Sequence, residues 1–197
     1  MHSNKALLTM ATALLLSGSM LLSSTSCKKE EKNEDSKTPV IITDEPGKVT
    51  AKIDGVPFSS KGFFAVNSQL KINSDNSYRI NIGAEAEVNG IEDLITFSLF
   101  GTDFNVLKAG DVFVAGANLN NDENVFDGDF YRRSRIPGNN LDIISDSEQN
   151  ANSTGTITAI DRVNRLITGT FEFKAIDIFG SGESYLITDG TFFELSY

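Results

Sequence analysis

The residue types able to do chemistry are few in this chain. The only histidine is His2 and the only cysteine is Cys27. Beyond Cys27 there is no imidazole or free thiol to act as base, nucleophile or soft-metal ligand. A Ser-His-Asp or Cys-His arrangement is therefore excluded from that part of the chain. So are the ligand sets typical of zinc, copper and non-haem iron. No glycine-rich phosphate loop follows a strand pattern. Tryptophan, the strongest platform for stacking a sugar, is missing, although four tyrosines remain.

What is left is oxygen chemistry. Its densest stretch is Asn120-Asn121-Asp122-Glu123-Asn124, continuing to Asp127-Gly128-Asp129. Hard cations such as Ca²⁺ take six to eight oxygen ligands, and alternating Asp and Asn in a loop supplies them. Asn120, Asp122, Asn124, Asp127 and Asp129 are thus the candidate calcium ligands. Asn120, Asp122 and Asn124 mimic the first three ligand positions of an EF-hand loop. Val125 replaces its glycine and Tyr131 its terminal glutamate, so the segment is not an EF-hand. The other reading is a solvated acidic loop. No further cofactor is indicated.

Tyr131, Arg132, Arg133 and Arg135 form the one basic cluster against an acidic background. Guanidinium groups grip carboxylates and other anions bidentately, so these four are the candidate ligand-binding residues. The alternative is that the arginines neutralise Asp127, Asp129 or other surface acids. A pair of carboxylates at the right spacing hydrolyses glycosides. Among 27 acidic residues, however, no pair is singled out. The chain is expected not to be an enzyme.

Strands must position these residues. Tyr78, Ile80, Ile82, Ala84, Ala86 and Val88 alternate with Arg79, Asn81, Glu85 and Glu87, the period of a half-buried strand. Ile167, Gly169, Phe171 and Phe173 alternate with Thr168, Thr170 and Glu172. Phe193, Leu195 and Tyr197 alternate with Glu194 and Ser196. Turn chemistry separates the runs: Asp54-Gly55 after Val49–Ile53, Asn89-Gly90, Asp161 to Asn164, and Asp189-Gly190 between Tyr185–Thr188 and Thr191–Tyr197. Short turns imply antiparallel pairing, and strands with one apolar face need a second layer or a closed barrel. The expectation over 48–197 is one all-β domain, an antiparallel sandwich or barrel of about nine or ten strands. All 14 phenylalanines fall within it.

The N-terminus carries an address. Lys5 precedes the apolar run Ala6–Leu22, and Ser23-Ser24-Thr25-Ser26 lead to Cys27, the layout of a secretory signal. Residues 1–26 are read as a signal peptide and Cys27 as the lipidated first residue of the mature chain. Two or more acyl chains hold a protein stably on a membrane. Residues 27–47, rich in Lys, Glu, Asp, Asn and Ser, are too polar to offset ordering entropy and read as a flexible tether. Val40-Ile41-Ile42 is its one apolar interruption. The net charge of −10 becomes one unit more negative without Lys5, which argues against nucleic-acid binding.

Ser24-Thr25-Ser26-Cys27 resembles a relaxed bacterial lipobox, with Ser24 in place of the usual leucine. Cys27-Lys28-Lys29-Glu30-Glu31 is similar to the surface-export signal of Bacteroidota lipoproteins. More widely, Ala51-Lys52-Ile53-Asp54-Gly55-Val56-Pro57-Phe58, Gly155–Asp161, Ile167–Phe173 and Ile187–Phe192 resemble an uncharacterised family of Bacteroidota surface lipoproteins. That resemblance implies fold and address but transfers no catalytic residue. It implies lipid anchoring (palmitate among the acyl groups) to the outer membrane, exposed at the cell surface, with a periplasm-facing orientation as the alternative. The expected role is a non-catalytic binding or structural module with a protein or glycan partner. The alternatives are a lipocalin-like carrier of a small apolar ligand and a calcium-dependent glycan binder.

Overall fold

A computed structural model describes residues 45–60, 66–116, 124–147 and 152–197. These belong to the unit Ile42–Tyr197, distinct from Met1–Ile41. The signal peptide, Cys27 and nearly all of the tether lie outside the described residues, as do Asn120 and Asp122.

The domain is all-β, as the alternation predicts. Eleven strands are described: β1 (Lys48–Ile53), β2 (Val56–Ser59), β3 (Val66–Ile72), β4 (Tyr78–Val88), β5 (Ile91–Gly101), β6 (Val112–Val114), β7 (Val125–Ser134), β8 (Asp142–Asp146), β9 (Thr154–Asp161), β10 (Leu166–Asp177) and β11 (Ser184–Ser196). One short 3-10 turn, Phe104–Val106, follows β5. No helix among the described residues is long and apolar enough to cross a membrane.

The strands form one sheet in the order β2-β1-β11-β10-β9-β6-β7-β5-β4-β3, and β8 bridges β7 and β10. Pairing is antiparallel except where Val114 of β6 meets Val125 of β7. The sheet rolls up like a barrel: β3 returns to β11, where the Ser68 hydroxyl donates to the Ser196 carbonyl. Two hairpins close through two-residue turns with both residues at positive φ, Asp54-Gly55 (50° and 80°) and Asn89-Gly90 (54° and 76°). That is the geometry whose twist matches the flanking strands, and Asn-Gly and Asp-Gly are the pairs that adopt it at least cost.

Inside the roll, side chains of alternate parity meet. Tyr78, Ile80, Ile82, Ala84 and Ala86 are buried along β4, while Val88, at its end, is exposed. Phe97 occupies the centre. Its ring stacks on Phe171 at 4.4 Å between centroids and lies 5.6 Å from Phe192 and 6.0 Å from Phe126. Offset ring pairs at these distances add to the gain from burying their area.

Two sequence expectations need correction, and both concern β11. Asp189-Gly190 is not a turn between two strands. It is a bulge inside a single thirteen-residue strand, at which Phe171 pairs with Gly190 and Phe173 with Ile187. The extra residue is Asp189, held at φ 51°. Here the sheet must bend, and Gly190 lets β10 approach: a Cβ there would lie 2.4 Å from the Phe171 carbonyl oxygen. The second correction is Phe193. A further bulge at Glu194 (φ 47°) shifts the register, so that Phe192, not Phe193, enters the core. The Glu194 amide displaced from the ladder donates to the Thr168 hydroxyl at 3.0 Å. A bulge reverses inward and outward faces, which a strict two-residue period cannot register.

Candidate functional site

The basic cluster sits where β7 runs beside β5 toward the Asn89-Gly90 turn. The register sets Glu92 opposite Arg133 and Asp93 opposite Arg132, and residues directly opposite across antiparallel strands are close enough to pair. Because side chains alternate along a strand, neighbouring arginines go to different faces. Phe126, Phe130 and Arg132 point inward on β7, whereas Asp127, Asp129, Tyr131 and Arg133 point outward.

Arg132 forms a fork on Asp93, Nε to Oδ1 at 2.6 Å and Nη2 to Oδ2 at 2.9 Å. Its guanidinium also lies 5.4 Å from the Phe130 ring centroid and 5.8 Å from that of Tyr185. The pair thus closes one end of the aromatic core with an inward-facing charge, and the apolar faces beneath it favour the cation. Beside it opens a cleft of about 380 Å³, walled by Ile53, Val56, Phe58, Ala86 and Val88 with Asp93 and Arg132 at one side.

On the outer face Arg133 grips Glu92 through Nε at 2.6 Å and Nη2 at 2.5 Å, and Arg135 reaches the same carboxylate from the strand end. The Glu92 side chain is only 2 % exposed, covered by arginines that are themselves half exposed. Hydrogen bonds from Arg133, then from Arg135, hold its carboxyl below the usual range although burial opposes them. A second cleft, about 220 Å³, lies alongside, lined by Glu92, Leu94, Tyr131, Arg133, Asp142 and Ile144.

The arginines therefore neutralise Glu92 and Asp93 rather than Asp127 and Asp129. Glu92 and Asp93 are the residues that sequence reasoning missed. Their only signal is that an adjacent acidic pair and an adjacent basic pair each lie in a strand, and which strands pair was not readable. An external anion would have to share these guanidiniums with the internal carboxylates they already hold.

The oxygen-rich segment also divides. Asn124 directly precedes β7, but Asp127 and Asp129 are strand residues and not part of a loop, because Phe126 and Phe130 alternate with them into the core. The two carboxylates share the outer face with Asp146, which pairs across from Asp129. Thr96 donates to Asp129 at 3.1 Å. Burial pushes the Asp127 carboxyl up, aided by Asp146 and opposed by Arg79. Burial likewise raises the Tyr131 phenol, with Asp129, Asp127 and Asp146 adding to it. Next to them Arg79 donates to the Ser98 hydroxyl, which donates onward to Asn81. Among the described residues, no group of three or more His, Cys, Asp or Glu side chains is arranged to hold a metal ion. No family model, curated protein sequence or solved structure matches this chain.

Proposed function

We propose that this chain is an outer-membrane lipoprotein, anchored through acyl groups on Cys27, whose β domain is a non-catalytic binding module at the cell surface. The observation that carries the second half of this reading is the filled interior. Phe97, Phe113, Phe126, Phe130, Phe173 and Phe192 are among its largest fully buried side chains; Phe97 packs on Phe126 and Phe192, Phe126 on Phe173, and Phe130 on Tyr185. A barrel that carries a small apolar molecule keeps that space for its cargo; here phenylalanine occupies it. Function then falls to the surface, where a rigid sheet displays turns and clefts to a partner. The first half is supported by the apolar run, small-residue zone and lone cysteine of the N-terminus.

Two measurements test the two halves. Metabolic labelling with an alkyne fatty acid is expected to mark the wild-type chain and not a Cys27→Ala variant, which should also leave the membrane fraction. Equal labelling of both overturns the anchor. Native mass spectrometry of residues 48–197 is expected to give the mass of the bare polypeptide. A co-purified organic molecule that persists through gel filtration would replace the binding module with a carrier.

A further inference from the structure

We propose that one end of the rolled sheet is the docking surface, and that its partner is a protein with an apolar patch ringed by lysine or arginine. The inference deepens the reading of the domain as a binding module and rests on it. The register brings four connections to the same end. The Asp54-Gly55 turn lies beside the start of β11, since Ile53 pairs with Ile187 and the Asp54 amide donates to the Leu186 carbonyl. The β10–β11 tip, residues 178–183, is there because Ile176 pairs with Ser184. The segment 135–141 between β7 and β8 joins them, since the amide of Ile178 in the tip donates to the Ile144 carbonyl of β8. The Asn89-Gly90 turn completes the set, with the Arg135 amide donating to the Gly90 carbonyl at 2.7 Å.

Seven of the twelve exposed large apolar side chains among the described residues lie at this end: Ile176 is 40 % exposed, and Val56, Val88, Ile136, Ile178, Phe179 and Leu186 are all 46 % exposed or more. Phe179, at the tip of the β10–β11 hairpin, is 73 % exposed. Solvent-facing apolar residues scattered singly need no explanation, but a concentration of them around a cleft marks a contact surface. Val56 and Val88 both line the larger of the two clefts, giving a partner's side chain somewhere to seat.

Charge selects the kind of partner. The three arginines at this end are committed to Glu92 and Asp93. Asp54, Glu87, Asp142, Asp177 and Glu183 stand around them. Against these five acids are set the one arginine charge in excess of Glu92 and Asp93 and the exposed Lys174 opposite Leu186, so the rim remains acidic on balance. A polar rim around an apolar centre is the usual anatomy of a protein interface, and an acidic rim steers a basic partner toward it while repelling anionic lipid. The route of the chain agrees. Residue 47 joins the sheet beside Phe193, where its amide bonds the Phe193 carbonyl at 2.9 Å. At strand rise, that point is about 30 Å from the level of Ser184. The described chain thus enters the sheet at the end opposite the apolar patch.

The test places a photo-crosslinking amino acid, p-benzoylphenylalanine, at position 179 of the full-length chain in intact cells. A second chain carries it at position 163, in the β9–β10 turn at the other end, where Val163 is 91 % exposed. The expected result is a protein adduct from position 179 and none from 163, with Lys or Arg in the captured segment. Its yield should fall about tenfold or more when Val88→Ser and Ile178→Ser are combined, the scale of losing central interface anchors. Glu87→Lys with Asp142→Lys should do the same. All these sites are exposed, and an unchanged melting temperature for each variant separates lost docking from lost folding; where a pair lowers it, the single substitution Ile178→Ser or Glu87→Lys is read instead. An adduct from 163 alone overturns the docking end but leaves the binding module standing. A lipid adduct, an adduct with a second copy of the chain, or a protein adduct indifferent to charge reversal also overturns it. No adduct from either position, with none from amine-reactive crosslinking of the same cells, removes the binding module as well.

Discussion

A carboxylate only 2 % exposed would ordinarily neutralise itself, yet Glu92 stays charged because Arg133 and Arg135 both donate to it. Removing one of them leaves a buried charge with half its partners. Arg133→Ala is expected to cost about 1–3 kcal/mol, the scale of a buried polar group losing a hydrogen-bond partner. Arg135→Ala should cost less, and the double substitution more than the sum, read in a double-mutant cycle of denaturant midpoints. The pH dependence follows from the depressed pKa. Stability contributed by Glu92 is fully present above its unfolded value, near 4.3, and is lost as pH falls through the lower folded value. Wild type should therefore lose more stability on acidification than Glu92→Gln, and parallel losses would contradict the ion triplet. Asp127 has the opposite sign. Its folded pKa is raised by burial, so its favourable share exists below the unfolded value and is lost as pH rises through the folded one. Asp127→Asn is accordingly expected to raise the melting temperature at neutral pH and to leave it nearly unchanged in acid.

At the scale of elements, the two glycines near the bulges of β11, Gly169 opposite Phe192 and Gly190 opposite Phe171, are more consequential than those in turns. A Cβ on Gly169 would lie 2.3 Å from both the Thr156 carbonyl oxygen and the Phe192 ring, and one on Gly190 would lie 2.4 Å from the Phe171 carbonyl. Alanine at either site must push backbone, so each is expected to cost about 3 kcal/mol or more, beyond the usual penalty of overpacking by one methyl group. Gly180→Ala, in the open β10–β11 tip at φ 82°, carries only the backbone strain of a left-handed residue, about 1 kcal/mol. Thermal melts of the three variants order these effects. The same bulges explain how much of the fold could be read in advance. The alternation through Tyr78–Ala86 and Ile167–Phe173 is regular, and Asp54-Gly55 and Asn89-Gly90 close hairpins where their residue types say they should. Asp189-Gly190 has the same composition but lies within a strand, because Leu186–Thr191 is held from both sides, by β1 and β10. Local turn chemistry loses to two flanking ladders there. The basic cluster was visible as residues but not as a site. The partners Glu92 and Asp93 are some 40 positions away, and alternation along β7 sends Arg132 inward and Arg133 outward. Neither fact is available without the β5–β7 register.

For the whole molecule, the pairing of β1 with β11 brings the start and the end of the domain together. Lys48 pairs with Phe193, only four residues before the final Tyr197, a distance of about 13 Å along the strand. A linker of about six residues should therefore join residue 197 to residue 45 without strain, and new termini can be opened elsewhere. Opening at Val163, in a turn capped by Asp161 through the Val163 and Asn164 amides, leaves every strand whole. That permutant is expected to fold with a melting temperature within a few degrees of the parent. Opening between Asp189 and Gly190 cuts the strand that both β1 and β10 lean on, and should give no cooperative melt. If residues 189–190 were a hairpin turn, as their composition suggests, the two permutants would be equally stable. Opening at Gly180 is the informative third case: every strand survives, but the Phe179 tip is severed. A folded protein of near-parental stability that has lost the position-179 adduct would separate the architecture of the sheet from the surface at its end. Retained capture from p-benzoylphenylalanine placed at position 88 of the same permutant would instead show that the β10–β11 tip is dispensable for docking.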